Sequence, residues 1–175
     1  PAIEVKVARF ADVALIHTAK GPGPMQLDLD ETQFRIGQTA FHMGYPQGHP
    51  GEAASRLIGR ERLIARGRYN LEEPVLAWAE VGRTEGLFGT LAGMSGGPVF
   101  DTQGRVIGVT VAESSRRGRI YTASPASILT LLKMEKVAPT GDPVGRLTLT
   151  NYGPQADKLR RDLAVSQVVC VAMPK

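Results

Sequence analysis

One serine of this chain lies in the glycine-rich segment Gly93–Val99, with the sequence Gly-Met-Ser-Gly-Gly-Pro-Val. Glycine allows a backbone with positive φ and a close approach of other groups. Such a loop can direct backbone N–H groups at a negative charge that develops beside a hydroxyl nucleophile. Ser95 is therefore the candidate nucleophile. A plain glycine-rich hairpin is one alternative. A phosphate-binding loop is another, although no Gly-Lys-Ser/Thr follows the segment.

A serine hydroxyl reacts well only when a base takes its proton and a third group orients that base. Asp12 lies directly before the apolar run Val13–Ile16, where an aspartate can also be a simple strand-start residue. The chain has three histidines, His17, His42 and His49. On a regular strand His17 faces away from Asp12, because the two are five residues apart. His42 lies within an apolar run and His49 within a turn, and neither is assigned as the base.

The segment around Ser95 resembles the G-x-S-G-G-P nucleophile loop of trypsin-like (chymotrypsin-fold) serine proteases. Asp12–Leu15 resembles the motif that carries the catalytic aspartate of that family, and Phe34–Gly48 is similar to the entry to the second barrel of bacterial HtrA-type members. The resemblance implies a serine endopeptidase with a Ser-His-Asp triad, an acyl-enzyme intermediate and a backbone oxyanion hole. It assigns Ser95 as the nucleophile and Asp12 as the acid that orients the histidine.

The same resemblance implies where the histidine and the substrate lie. The family's chain order is His, Asp, Ser, and 11 residues precede Asp12. We therefore expect the catalytic histidine to come from outside this chain, on a segment that also supplies the missing strands of the first barrel. The oxyanion donors would be the backbone N–H groups of Gly93 and Ser95. Three residues would pair with the substrate backbone as an added strand: Thr110, Val111 and Ala112.

Gly89 and Thr90 fall where the family builds its primary specificity pocket. We expect no acid there to hold an arginine or lysine. The resemblance therefore predicts a small or medium apolar side chain at the cleavage position.

Many glycines and prolines (20 and 12) between short apolar runs favour β structure. We predict two strands at 3–9 and 12–18, and a helix over 125–136 that begins at Pro125. Six further strands are predicted at 38–45, 55–67, 74–81, 97–101, 105–112 and 119–123. Six short antiparallel strands suggest a closed barrel.

The predicted fold is all-β: a chymotrypsin-like double β-barrel with an incomplete first barrel, a C-terminal helix and a small α+β tail. Residues 1–20 end the first barrel, 21–36 link the barrels, 37–137 form the second barrel and helix, and 138–175 form the tail. A strand at 144–150, a helix at 155–163 and a strand at 167–172 are expected in that tail. It is either part of a PDZ-like domain or an extension that packs on the barrel.

Composition excludes several functions. The net charge of +4 is scattered over 175 residues. The group of residues most like a basic cluster is Arg116, Arg117 and Arg119, which we interpret as a solvated loop. No nucleic-acid partner is therefore expected. The single cysteine, Cys170, lies in an apolar run and is predicted to be buried. No apolar run is long enough for a membrane segment, and no Cys/His cluster predicts a metal or cofactor.

Two functions from different classes remain open. The first is the active serine endopeptidase, acting on polypeptides with a histidine supplied by its own N-terminal segment. This chain could then be the large fragment left by self-cleavage. The second is a catalytically inactive, protease-like module that binds peptides on the strand at 105–112. The incomplete first barrel predicts that the isolated chain is unstable or forms a homo-oligomer. The HtrA-type resemblance implies a bacterial protein outside the cytoplasm, periplasmic or secreted.

Overall fold

The computed structural model describes residues 2–19, 21, 23–65 and 71–171, and it begins with a two-stranded antiparallel ribbon. β1 (Ala2–Val7) and β2 (Ala14–Thr18) pair with Val5 opposite Ile16. Every residue of β1 is exposed, including the apolar side chains of alternate positions. The two strands predicted for this region are confirmed, although both are shorter than expected.

Six further strands close into a barrel in the order β3-β4-β5-β8-β7-β6, and all neighbouring pairs are antiparallel. They are β3 (Thr39–Gly44), β4 (Gly51–Ala65), β5 (Leu71–Arg83), β6 (Pro98–Phe100), β7 (Val106–Ser114) and β8 (Arg119–Ala123). The ring closes between β3 and β6, where Phe41 lies opposite Phe100. Closure removes the unpaired edges that an open sheet would expose. The predicted six-stranded barrel is confirmed.

The barrel interior follows from the period-two alternation of its strands. Leu76 and Trp78 on β5 point into the central cluster, whereas Val75 belongs to a second cluster on the other face. The Trp78 indole donates a hydrogen bond of 3.0 Å to the Thr122 hydroxyl, so the polar atom of this large buried ring is satisfied.

The β4–β5 hairpin extends beyond the barrel and meets the ribbon. β4 pairs along β5, whereas β8 pairs with β5 only between Val75 and Ala79. The rest of β5 therefore pairs with β4 alone. Val13 of the ribbon shares one apolar cluster with Leu63 of this extension and with Val75. The hairpin thereby joins the ribbon to the closed barrel.

The helix predicted at 125–136 is confirmed as α1 (Pro125–Met134). Proline lies in its first turn, where no backbone N–H is needed. The segment predicted as an inter-barrel linker, 21–36, lies along the barrel and contains a short 3-10 helix (Glu31–Gln33). Leu29 and Phe34 of this segment are buried.

The tail differs from its prediction. Neither the strand expected at 144–150 nor the described part of the one expected at 167–172 forms, while the helix is present as α2 (Tyr152–Arg161). Extended backbone near residue 144 bonds to a barrel turn instead: the Val144 N–H donates to the Gly104 carbonyl at 2.9 Å. Cys170 is exposed, so the prediction that it is buried is wrong.

Helix α2 packs on the outer face of the barrel. Its Ala156 and Leu159 share one cluster with Phe41, Met43 and Phe100 of the barrel wall. The strands carry apolar residues on both faces because one face meets the barrel core and the other meets this helix. Helix α2 of the tail thus packs on the barrel, and no strand forms among the described tail residues.

Among the described residues, no helix is long and apolar enough to span a membrane.

Candidate active site

The loop around Ser95 is held on both sides of the serine by buried or close-packed residues. Met94 is buried in the barrel core, and a side chain at Gly97 would collide with the Met43 carbonyl. The Gly96 N–H donates to the Thr110 carbonyl at 2.7 Å, and the Thr110 N–H donates to the Gly97 carbonyl at 2.9 Å. Ser95 itself is exposed. The sequence therefore buries the flanks of the loop and presents the hydroxyl to solvent.

A hydrogen bond fixes the orientation of the peptide between Ala92 and Gly93. The Ala92 carbonyl accepts a hydrogen bond of 2.6 Å from the Gln47 N–H. In a planar trans peptide the next N–H, that of Gly93, points in the opposite direction. Gly93 has φ of 96°, and a Cβ there would lie 2.7 Å from the Tyr45 carbonyl oxygen, so only glycine fits. Within the described structure neither the Gly93 nor the Ser95 N–H has a hydrogen-bond partner.

A cleft of about 570 Å³ brings Ser95 and Asp12 together. One wall is the loop around Ser95, and another is the start of the ribbon, from Asp12 to Ile16. Helix α1 contributes Ile128 and Leu131, and the tail contributes residues 164–168. Two residues 83 positions apart thus line one cleft.

A buried glutamate holds the backbone at Asp12. The Asp12 N–H donates to the Glu73 carboxylate at 2.8 Å, and Glu73 is only 1% exposed. Burial raises the pKa of Glu73, and the charge of Asp12 raises it further, whereas the hydrogen bond from the Asp12 N–H opposes the shift. The next residue, Val13, packs against the apolar cluster that contains Val75 and Val111. The Asp12 side chain remains exposed at the cleft.

The Ser95 hydroxyl donates to the Val111 carbonyl at 3.3 Å. That carbonyl is available because the ladder between β7 and β8 shifts register between Thr110 and Ala112, which leaves Val111 at a bulge. Bulges redirect a residue away from strand pairing. A backbone carbonyl cannot take the proton as a base would, so this bond does not activate the serine.

The sequence of the chain identifies its family. A family model described as a trypsin-like peptidase domain matches residues 1–109, more than half of the chain. The chain belongs to the trypsin-like peptidase family. Among curated proteins, none matches it.

Solved structures share the fold of this trypsin-like peptidase at low sequence identity. The active form of the Rv3671c protease from M. tuberculosis has a TM-score of 0.60 and 20% identity, over 79% of this chain and 61% of that one. The MamO protease domain from Magnetospirillum magneticum has a TM-score of 0.51 and 20% identity, over 73% and 65%. The HtrA-type protease AlgW with a decapeptide has a TM-score of 0.55 and 17% identity, over 76% and 40%. Across three Rv3671c structures this chain spans 61–67% of the other chain.

None of the three histidines of this trypsin-like peptidase lines the cleft, and all three lie in the described part of the chain. His17 is exposed on β2 opposite Glu4, and His49 is exposed in the turn after β3. His42 is fully buried, and burial lowers its pKa to about 3. Its ring nitrogens lie 2.7 Å from the Ser55 hydroxyl and 3.2 Å from the Thr110 hydroxyl.

The three residues predicted to pair with the substrate backbone have different surroundings in the structure. Both backbone groups of Thr110 are bound to Gly96 and Gly97, and its side chain contacts buried His42, so Thr110 is not free to pair with a substrate. The carbonyl of Val111 faces Ser95. Ala112 is half-buried beside the bulge. The part of the predicted edge that remains available to pair with a substrate backbone therefore begins at Val111.

The predicted specificity wall of the trypsin-like peptidase contains an acid that the sequence analysis missed. The Glu113 carboxylate accepts hydrogen bonds from the Thr90 hydroxyl and, at 2.9 Å, from the Leu91 N–H. The Arg83 guanidinium donates to the Gly89 carbonyl at 2.9 Å. The expectation that no acid lies beside Gly89 and Thr90 is wrong, because the Glu113 side chain of β7 is hydrogen-bonded to Thr90 and Leu91. Its sequence position, just past the predicted end of a strand, carried no signal of this contact.

No group of His, Cys, Asp or Glu side chains among the described residues could hold a metal ion.

Proposed function

We propose that this trypsin-like peptidase is a serine endopeptidase in which Ser95 is the nucleophile and Asp12 orients a histidine. The observation that carries the proposal is the exposed Ser95 hydroxyl beside two unpaired N–H groups, in the same cleft as Asp12. A nucleophile, an acid and prearranged oxyanion donors are the parts that a triad enzyme needs besides its base.

The proposed reaction begins when a histidine removes the Ser95 proton and Oγ attacks the carbonyl carbon of the substrate. The resulting oxyanion accepts hydrogen bonds from the Gly93 and Ser95 N–H groups. The histidine then gives its proton to the leaving amine, which breaks the peptide bond and leaves an acyl-enzyme. Water, with its proton taken by the same histidine, releases the acid product and regenerates Ser95. In this proposal the Val111 carbonyl exchanges the Ser95 hydroxyl for a substrate N–H.

The histidine in this proposal comes from outside the chain, because none of its own three lines the cleft. The proposed source is an N-terminal segment, which remains attached or stays bound after self-cleavage. A second copy in a homo-oligomer is the other source. The exposed ribbon, with Ile3, Val5 and Val7 on β1, offers an apolar surface on which such a segment could pack. We also propose that the substrates are polypeptides and that the protein acts outside the cytoplasm.

Fluorophosphonate labelling, followed by intact mass, tests the proposal on a sample that keeps every copurifying chain. In this reaction the serine oxygen displaces fluoride from phosphorus, which requires an activated hydroxyl. We expect one adduct per chain, absent in Ser95→Ala. Asp12→Asn should slow labelling by up to about 10⁴-fold, the loss seen when a triad aspartate becomes an amide. Asp142→Asn, an exposed tail aspartate, is the matched control and should label normally.

The second candidate function is a peptide-binding module that does not cleave. The bond from Ser95 to the Val111 carbonyl, and the lack of a histidine at the cleft, favour it. A folded sample that contains all copurifying chains and shows no adduct would contradict the endopeptidase. Peptide binding without cleavage would then support the module.

A further inference from the structure

Gln47 adopts a conformation that a side chain makes costly. Its φ and ψ are 55° and 23°, in the left-handed region, and the residue lies in the turn Pro46–Gly48 after β3. Only two other described residues besides glycines have positive φ, Lys136 and Leu163. A glycine would adopt this conformation without strain. Strain of this kind persists where surrounding contacts impose it, and an observed outlier is a reason to ask what those contacts do.

The contacts of Gln47 all go to one segment, Phe88–Ala92. The carboxamide nitrogen donates both its protons, to the Phe88 carbonyl at 2.7 Å and to the Thr90 carbonyl at 2.8 Å. The backbone N–H donates to the Ala92 carbonyl at 2.6 Å. One residue thus binds three carbonyls on alternate positions of the segment that ends at the oxyanion donor Gly93.

This segment needs an external support because it ends in a glycine. A peptide that precedes glycine can rotate more freely than one that precedes any other residue. If the Ala92 carbonyl rotated toward the cleft, the Gly93 N–H would turn away from it. The hydrogen bond from the Gln47 N–H opposes that rotation, and the two side-chain bonds keep the preceding residues in register with it.

We propose that Gln47 is a positioning residue that holds the Ala92–Gly93 peptide in the orientation that an oxyanion requires. It acts through Phe88–Ala92 and touches neither the substrate nor Ser95. The inference rests on the proposed function, since an oxyanion site matters only if Ser95 reacts.

Two substitutions separate this role from a structural one. Gln47→Gly removes the carboxamide but relieves the left-handed strain and keeps the backbone N–H. Gln47→Glu keeps the size of the side chain but places a carboxylate, which cannot donate, against two carbonyls. The matched control is Lys136→Gly, which relieves the same strain at φ of 55° on an exposed residue away from the loop. Each variant is made in the sample that keeps all copurifying chains.

Three readouts are compared: the melting temperature, the fluorophosphonate labelling rate and hydrogen exchange of the Leu91 and Ala92 amides, which donate to the Glu113 carboxylate and the Thr90 hydroxyl. Gln47→Gly should melt no lower than the unsubstituted protein, yet label at least tenfold more slowly, with faster exchange at Leu91 and Ala92. Gln47→Glu should show the same loss of labelling. Lys136→Gly should change neither the labelling nor the exchange. A residue with only a structural role would not slow labelling in a protein that melts no lower.

The outcomes distinguish this inference from the proposed function. Faster exchange at Leu91 and Ala92 in Gln47→Gly, when even the unsubstituted protein does not label, supports the positioning role of Gln47 and contradicts the endopeptidase. Exchange at the unsubstituted rate overturns the inference, whatever the labelling shows. A protein that labels, and whose Gln47→Gly variant labels equally fast, also overturns it.

Discussion

Glu113 is the residue that most changes the side-chain preference that we expect at the cleavage position. Arg83, which also contacts this wall, is already paired with Glu80 through two hydrogen bonds of 2.5 and 2.6 Å. That pairing raises the pKa of Arg83. Glu113 itself has no ion-pair partner among the described side chains. The charge of Glu113 also raises the pKa of Arg83, so the wall carries the Glu113 carboxylate next to Gly89 and Thr90 with the Arg83 guanidinium close by.

We expect Glu113→Gln to lower the preference of the protein for arginine or lysine at the cleavage position. An exposed ion pair contributes about 0.2–1 kcal/mol, which corresponds to a change of up to roughly fivefold in the ratio of kcat/KM for arginine and valine peptides. The amide keeps an oxygen that can accept from Thr90 and Leu91, so the loop should stay in place.

Glu85→Gln, on an exposed turn, provides the control for lost negative charge. Peptide-library profiling measures the ratio directly. An unchanged ratio in Glu113→Gln would show that the carboxylate only supports the loop.

At the scale of elements, one buried arginine attaches α2 to the barrel. Arg160 is paired with Glu52 at 2.5 Å and donates to the Gly44 and Gly51 carbonyls at 3.0 Å each. Its guanidinium also lies over the Tyr45 ring, 5.5 Å from the centroid. Both ends of the β3–β4 turn are thus bound by one side chain of the helix. Because the chain continues from α2 into the cleft wall at 164–168, this attachment also determines where that wall lies.

Arg160→Leu should lower the free energy of unfolding by about 3–5 kcal/mol, because it leaves the Glu52 carboxylate buried without its cation. Arg161→Leu, on the exposed side of the same helix, should change it by less than about 0.5 kcal/mol. Urea unfolding compares the two. The double variant Arg160→Leu/Glu52→Leu should recover part of the loss, since neither charge then remains buried. Equal stabilities of the two single variants would contradict this view of the helix.

At the scale of the whole molecule, His42 makes stability depend on pH. The ring joins β3 to Ser55 on β4 and to Thr110 on β7, so three strands of the closed barrel meet at one buried group. Its pKa is about 3 in the folded protein, against an ordinary value of 6.5. Below pH 6.5 the unfolded chain binds a proton that the folded protein does not. The contribution of His42 to stability is therefore lost as the pH falls from about 6.5 toward 3.

We expect the free energy of unfolding to fall by about 2 kcal/mol between pH 7 and pH 5 from this residue alone. His42→Gln can still hydrogen-bond to both hydroxyls and should lack this part of the pH dependence. His17→Gln, on the exposed ribbon, should retain it. If His42→Gln does not fold, the carbon shifts of the His42 ring can be followed in the unsubstituted protein. A ring that titrates between pH 7 and 5 would contradict the prediction.

The sequence by itself determined the features that arise from local pattern. Alternation of apolar residues and the placement of glycine and proline predicted all eight strands and α1, because these signals act between neighbouring residues. The glycines around Ser95 likewise predicted an exposed hydroxyl in a tight loop, since the backbone conformation of the loop requires them.

Only the tertiary structure decided what meets across long distances in the chain. It brought Asp12 to the cleft through Glu73, and it placed Gln47 and Glu113 on opposite sides of the segment before Gly93. It also bound the first predicted tail strand to a barrel turn, through hydrogen bonds from Val144 to Gly104 and from Leu147 to Thr102, while α2 covered the outer face. A hydrogen bond between residues 20 to 60 positions apart leaves no periodic trace in the sequence, so such contacts appear only when the barrel closes.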